Sequence, residues 1–276
     1  MDEAVTFIQI TDTHLRGDDG LQHGRIDTAQ QLESILETVR FAGTPVDAIV
    51  VSGDASDDGS ARSYAVLQSL LLPVAAELDA QLIHLPGNHD DVDAYAAAVG
   101  AADGFDRYVD IGDLRIVTVD STRGPRHDGW VTDDQLAWLD SALQSAPSLG
   151  CVVGVHHPAM GSPIRTVNAL RMKNGQAFAD LLTHHYVRLV LSGHTHYTGA
   201  GSIGGIPVWL GTPASYTLNG WPLAGEQSAV DRFGFSRIDV DAQSASAIAV
   251  PVGPLGTVYR RRLDEYDELL VPYLDS

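Results

Sequence analysis

The chain has 276 residues, a formal net charge of −19 and a single cysteine, and Lys173 is the only lysine among its 17 basic residues. Such an acidic surface repels nucleic-acid polymers and anionic membranes, which bind through clusters of lysine and arginine. No apolar run approaches the ~20 residues of a membrane span, and residues 1–4 lack the basic start of a signal peptide. We therefore expect a cytoplasmic protein with no nucleic-acid polymer and no membrane as partner.

The first half of the chain alternates predicted strands with predicted helices. Apolar runs predict strands at 5–10, 48–52 and 81–85, and helical spacing of apolar residues predicts helices at 27–41, from about 60, and after 90. Pro73 lies inside the second of these helices and is expected to kink or break it. This alternation is typical of an α/β fold.

The second half of the chain begins in the same way and ends in short strands. We predict a strand pair at 108–111 and 114–119, a helix opened by the capping box Thr132–Gln135, strands at 151–155 and 187–191, and a helix at 176–184. Residues 165–173 are predicted to form a loop. After residue 196, short β-like runs indicate an antiparallel portion. We assign residues 1–218 to the core domain and 219–276 to a C-terminal segment that completes the sheet, covers the site or mediates oligomerisation.

Five polar motifs each follow one of the predicted strands. They are Asp12-Thr13-His14, Gly53-Asp54, Gly87-Asn88-His89-Asp90, His156-His157-Pro158 and Gly193-His194-Thr195-His196. Because the carboxyl ends of strands in an open α/β sheet converge on one crevice, we expect these motifs to meet there.

The motifs together supply two aspartates, four histidines and one asparagine that could bind metal. The candidate ligands are Asp12, His14, Asp54, Asn88, His156, His194 and His196. This donor set suits Mn, Fe, Co or Zn and not a thiolate site. A lone His-x-His after a strand is more often structural, but its company with four other motifs indicates a metal centre. The spacing alone does not show how the ligands divide between ions.

The five motifs, present in order over residues 5–215, resemble those of the calcineurin-like metallophosphoesterase superfamily. The resemblance implies a four-layer α/β/β/α sandwich of two mixed sheets flanked by helices. It also implies two divalent or mixed-valence ions, with Mn and Fe favoured and Zn or Co possible. One ion would take Asp12, His14, Asp54 and His196, and the other Asp54, Asn88, His156 and His194. The catalytic residues would be Asp54, Asn88 and His89.

Within the superfamily, the Leu85-Pro86-Gly87-Asn88-His89-Asp90 turn is similar to class III cyclic nucleotide phosphodiesterases and to bacterial glycerophosphodiesterases. This implies hydrolysis of small phosphodiesters, with 3′,5′-cyclic nucleotides (cAMP and cGMP) favoured, by attack of a metal-bridging hydroxide. Two divalent ions, two aspartates and one hydroxide leave a charge of about +1, which suits a singly charged diester. His89 would contact the phosphate or protonate the leaving oxygen.

Several alternatives stay open at this point. The substrate could be a glycerophosphodiester, a 2′,3′-cyclic diester or a broad range of phosphoesters. The alternative to an enzyme is a non-catalytic scaffold protein of the same fold. Asp57 stands where purple acid phosphatases carry a tyrosine ligand, so a purple Fe(III) site is not expected. His23, His89 and Arg171 are candidate substrate contacts, His127 lies in a loop that could overhang the site, and a homodimer is the default assembly.

Overall fold

The computed structural model describes residues 4–18, 20–254, 256, 259 and 262. The N-terminal residues 1–3 and the tail residues 263–276, on which two of the sequence predictions partly fall, lie outside this range. Within the described residues, no helix is both long and apolar enough to cross a membrane.

Strands and helices alternate over most of the chain up to residue 192, and strands alone follow in the described residues, as the sequence predicts. The strands are β1 (Val5–Ile10), β2 (Ala48–Ser52), β3 (Gln81–Leu85), β4 (Arg107–Ile111), β5 (Leu114–Val119), β6 (Cys151–Val155), β7 (Val187–Ser192), β8 (Gly199–Ile203), β9 (Ile206–Leu210), β10 (Thr217–Leu218), β11 (Ala229–Val230), β12 (Phe233–Val240) and β13 (Ala245–Val252). The helices are α1 (Thr28–Phe41), α2 (Ala61–Leu78), α3 (Val92–Val99), α4 (Asp133–Gln144), α5 (Arg165–Leu170) and α6 (Gly175–Leu182).

Two mixed sheets form the centre of the molecule. The first has the strand order β13-β12-β1-β2-β3, in which β1, β2 and β3 are parallel and β12 runs antiparallel to β1. The second has the order β4-β5-β6-β7-β9-β8, with β5, β6, β7 and β9 parallel. Strands β10 and β11 form a separate two-stranded ribbon. The strands predicted after residue 196 therefore do not form one antiparallel unit. Strands β8 and β9 belong to the second sheet, and β12 and β13 belong to the first.

The apolar side chains divide into three buried clusters, which define four layers. One cluster joins the first sheet to α1, α2 and α3, and another joins the second sheet to α4 and α6. The third lies between the sheets and includes Phe7, Val50, Ile116, Val152 and Ile238. The predicted α/β/β/α sandwich of two mixed sheets flanked by helices is thus confirmed. The division of the chain at residue 218 stays a prediction.

The structure corrects two local predictions. Helix α2 is not broken at Pro73 but continues to Leu78, because Pro73 lies on the exposed side while Leu71, Val74 and Ala75 are buried against the core. Tertiary packing therefore outweighs the lost backbone hydrogen bond. The predicted loop at 165–173 contains the short helix α5, whose Val167 is buried.

Two isoleucines on neighbouring strands give a stability prediction. Ile238 on β12 is fully buried between the sheets, opposite Phe7, whereas Ile248 on β13 is 52% exposed. Ile238→Ala should lower the free energy of unfolding by about 2–5 kcal/mol because it leaves a cavity. The matched change Ile248→Ala should stay within about 0.5 kcal/mol. Urea unfolding of the two variants measures both values, and equal losses would contradict the burial of Ile238 between the two sheets.

Candidate metal centre

The loops after β1, β2, β3, β6 and β7 carry the five motifs to one edge of the two sheets. Main-chain hydrogen bonds hold these loops together: the amide of Asp12 donates to the Gly53 carbonyl (3.0 Å) and that of His14 to the Asp54 carbonyl (2.9 Å). The amide of Gly193 donates to the His156 carbonyl at 3.1 Å. The geometry of the backbone therefore fixes where the side chains converge.

The candidate ligands fall into two groups that share one residue. Asp12, His14, Asp54 and His196 each offer one ligand atom within 4.8 Å of the others, and so do Asp54, His156 and His194. Asn88 joins the second group, since its Oδ1 lies 2.7 Å from His194 Nδ1. All seven predicted ligands are thus brought together, and their division between two ions stays a prediction.

Asp54 is the shared residue, and its two oxygens have different neighbours. Oδ1 accepts a hydrogen bond from the His89 amide at 2.9 Å. Oδ2 lies 3.6 Å from His14 Nε2 and 3.3 Å from His156 Nε2, one histidine from each group. The fixed Oδ1 leaves Oδ2 facing both groups.

Three of the four histidines are oriented by an acceptor behind the ring. The Nδ1 of His156 donates to the Ser52 carbonyl (2.9 Å), and the Nδ1 of His196 donates to the Tyr216 carbonyl (3.2 Å). His14 Nδ1 lies 3.3 Å from Asp57 Oδ1. These contacts orient the three rings and direct each Nε2 inward, as in metal-binding histidines generally.

The polar atoms at the centre lack the partners that a buried group requires. Among the described residues, the buried Asp12 Oδ2 and His156 Nε2 have no hydrogen-bond partner. His14 Nε2 and His196 Nε2 face each other at 3.0 Å. Unpartnered buried polar atoms are costly, and converging imidazole and carboxylate atoms are the donors that borderline divalent cations take. The arrangement therefore fits metal ions.

The backbone is strained at the same residues. Seven non-glycine residues of the described chain have positive φ, and five are candidate ligands: Asp12 (54°), His14 (46°), Asp54 (49°), His194 (68°) and His196 (50°). Such conformations cost about 1–3 kcal/mol each and cluster at functional sites. Ligand geometry is therefore maintained against the local preference of the chain.

Glycines let the motif loops approach each other. A Cβ on Gly87 would lie 2.2 Å from the Asp54 amide nitrogen, and one on Gly193 would lie 2.1 Å from Thr11 Oγ1. Both distances are far below van der Waals contact. Only glycine fits at these two positions without moving a neighbouring loop.

Burial and the two carboxylates set the protonation of the histidines. Burial, with a further contribution from His156, lowers the pKa of His194 to about 3, and burial lowers that of His196 to about 4. Both imidazoles are therefore neutral near pH 7, which is the form that binds metal. Burial also opposes charge on His156, but the Asp54 and Asp12 carboxylates outweigh it and raise the pKa of His156 to about 9.

A cavity of about 370 Å³ opens over the two groups. Its walls include the predicted substrate contacts His23 and His89 together with His127, and Tyr216, Leu218 and Leu170 complete one side. Arg171 is not among the described residues that line it, and its Nη1 lies close to Gly161 instead. The structure thus brings His23 and His89 to the cavity but not Arg171.

Two contributors escape the sequence analysis. Asp57 is not among the predicted site residues, yet it contacts His14 Nδ1 and pairs with Arg16 at 2.7 Å. Tyr216 stacks on His196, with ring centroids 4.2 Å apart. Asp57 stands three residues after Asp54, on the same loop, which is the only signal in the sequence that favours a role at the site.

A family model described as calcineurin-like phosphoesterase matches residues 5–198, which contain all seven candidate ligands. The chain belongs to this family. It is 31% identical to a cAMP/cGMP dual specificity phosphodiesterase of Mycobacterium tuberculosis over 257 residues, covering 91% of this chain and 81% of the relative. It is 28% identical over 202 residues to a glycerophosphodiester phosphodiesterase of Enterobacter lignolyticus, covering 70% and 71% of the two chains.

A solved structure shares the fold. The structure of a dimetal phosphatase from Danio rerio superimposes with a TM-score of 0.58 at 17% identity, covering 89% of this chain and 98% of that one. At this identity the likeness supports the fold alone.

Removal of the shared carboxylate tests the arrangement. Asp54→Ala should lose bound metal from both groups and reduce phosphoesterase turnover to background, because both depend on Oδ2. Metal content by mass spectrometry and turnover on a chromogenic diester measure the two effects. Asp103→Ala, at an exposed aspartate, is the matched control and should change neither. Full metal content with retained turnover in Asp54→Ala would contradict the shared-ligand geometry.

Proposed function

We propose that the protein is a metal-dependent phosphodiesterase of small phosphodiesters, with 3′,5′-cyclic nucleotides as its preferred substrates. The observation that carries the proposal is the position of Asp54 Oδ2 between two groups of converging ligand atoms, beneath a cavity that a small molecule can enter. Metal sites that share a carboxylate in this way are suited to phosphoryl chemistry.

In this proposal, Asp12, His14, Asp54 and His196 hold one ion, and Asp54, Asn88, His156 and His194 hold the other. Two such ions supply charge neutralisation for the phosphoryl group and a nucleophilic hydroxide at neutral pH. Carboxylate, amide and imidazole donors favour Mn or Fe, with Zn or Co as alternatives.

His89 is placed to act on the substrate. It is exposed, unlike Asp12, His14, Asp54, His156 and His196, and it lines the cavity. Its backbone is fixed by the bond to Asp54 Oδ1, and its ring lies 4.8 Å from that of His14, edge to face. A side chain held beside the ligands but absent from both groups can contact a phosphate oxygen or protonate the leaving oxygen.

The size and the wall of the cavity suit a small diester. Its volume lies within the range of about 300–1,000 Å³ that is typical of small-molecule sites. Its wall combines polar rings, Tyr216 and His23 at 5.1 Å between centroids, with the apolar Val167, Leu170 and Leu218. Such a wall suits a nucleoside better than glycerol, which offers no aromatic or apolar surface. The name of the mycobacterial relative supports the same preference.

The substrate assignment predicts an order of rates. Protein reconstituted with Mn²⁺ should hydrolyse 3′,5′-cyclic AMP with a kcat/KM at least tenfold, or about 1.4 kcal/mol, above those for 2′,3′-cyclic AMP and a glycerophosphodiester. The three diesters are assayed at equal concentration. A faster glycerophosphodiester would favour the activity named for the Enterobacter relative. If metal is bound but none of the three diesters is hydrolysed, the result would favour a non-catalytic scaffold protein of the same fold.

The role of His89 predicts a separation of metal binding from turnover. His89→Ala should retain both ions and lose about 10²–10⁴-fold in kcat, the range for a lost proton donor or phosphate contact. The control is His184→Ala, at an exposed histidine near the end of α6, which should leave kcat unchanged. An unaltered kcat in His89→Ala would remove His89 from the mechanism.

A further inference from the structure

The loop between β5 and α4 brings His127 to the metal centre, where neither group of ligands requires it. His127 Nδ1 lies 3.0 Å from Asn88 Nδ2, and the His127 ring lies 5.4 Å from that of His89. His127 therefore contacts the one candidate ligand that is an amide and also the ring that faces the substrate.

An asparagine ligand can be placed in two ways, and only one of them binds metal. The amide oxygen carries lone pairs, whereas the amide nitrogen is a donor only. Asn88 Oδ1 points toward His194 Nδ1 at 2.7 Å, so its nitrogen points away from the second group. A rotation of 180° about the terminal bond would replace the oxygen by a nitrogen that cannot serve as a ligand.

The contact with His127 favours the binding orientation. Because Asn88 Nδ2 can only donate, His127 Nδ1 must accept in this contact. The ring proton of a neutral His127 then lies on Nε2, so the residue also offers a donor at the cavity that it lines.

The loop itself is anchored so that His127 is held in place. Asp128, the next residue, is 2% exposed and pairs with Arg126 at 2.7 Å, Arg123 at 3.3 Å and Lys173 at 3.8 Å. The Trp130 amide donates to the Ser121 carbonyl at 3.0 Å and closes the loop.

We propose that His127 is a positioning residue, which accepts a hydrogen bond from the Asn88 amide and so holds the Asn88 oxygen toward the second ion. The inference rests on the proposed function insofar as Asn88 is a metal ligand. Outer contacts of this kind are typically worth 10–100-fold in metal affinity.

Three substitutions at position 127 separate this role from a merely structural one. Asparagine places an acceptor oxygen where His127 has Nδ1, whereas glutamine places its acceptor at the position of Nε2, and alanine has none. His127→Ala and His127→Gln should therefore bind one of two Co²⁺ ions about 10–100-fold less tightly, and His127→Asn should bind both with the parent's affinity. Because His127 is exposed, all three variants should keep the parent's thermal midpoint.

The measurement is a Co²⁺ titration of metal-free protein against a chromophoric chelator, with the visible Co²⁺ spectrum as a second readout. His184→Ala is the control: His184 is an exposed histidine near the end of α6 that does not line the cavity, so Co²⁺ affinity should not change. Parent-like affinity in His127→Ala, or an equal loss in His127→Asn, would overturn the proposal. If the parent protein binds two Co²⁺ ions but hydrolyses no diester, the proposed function is refuted. The Co²⁺ affinities of the variants at position 127 would still show whether His127 positions Asn88.

Discussion

The carboxylate of Asp54 is the constraint on which the site depends. One of its oxygens is tied to the loop after β3 by the His89 amide, and the other lies between His14, after β1, and His156, after β6. The carboxyl ends of strands from both sheets must therefore lie side by side. Within the first sheet, the parallel registers of β1 with β2 and of β2 with β3 align these ends. The sandwich and the site are specified together.

The site is costly to the folded protein without its ions. Five candidate ligands have positive φ, and burial disfavours protonation of His14, His194 and His196, lowering the pKa of each. Charged and polar groups placed in this way lower stability unless a partner compensates them. Three apolar clusters, one between the sheets and one on each outer face, supply the stability that such strain requires. Metal binding would add to it, since a ligand that binds only the folded state stabilises that state.

The sequence predicts that the candidate ligands converge, because their signals are local. Asp12, Asp54 and His156 each come at the end of an apolar run that can only be a buried strand, and the topology of an α/β sheet then brings them together. Pro73 does not break α2, and residues 165–170 form a helix, because local propensity yields to packing at Leu71, Val74 and Val167. The carbonyls of Ser52 and Tyr216, which orient two histidines, carry no sequence signal at all, since every residue has one.

Electrostatics around the loop of His127 differ from those of the molecule as a whole. The net charge is −19, which would repel an anionic diester at long range, but charges beyond a Debye length of about 8 Å are largely screened. Arg123, Arg126 and Lys173 each lie within 4 Å of the single carboxylate of Asp128, so this group of four side chains keeps a cationic excess. Asp128 holds these cations against the loop that carries His127 to the cavity. One buried carboxylate thus orders the loop, and with it the position of His127 beside Asn88.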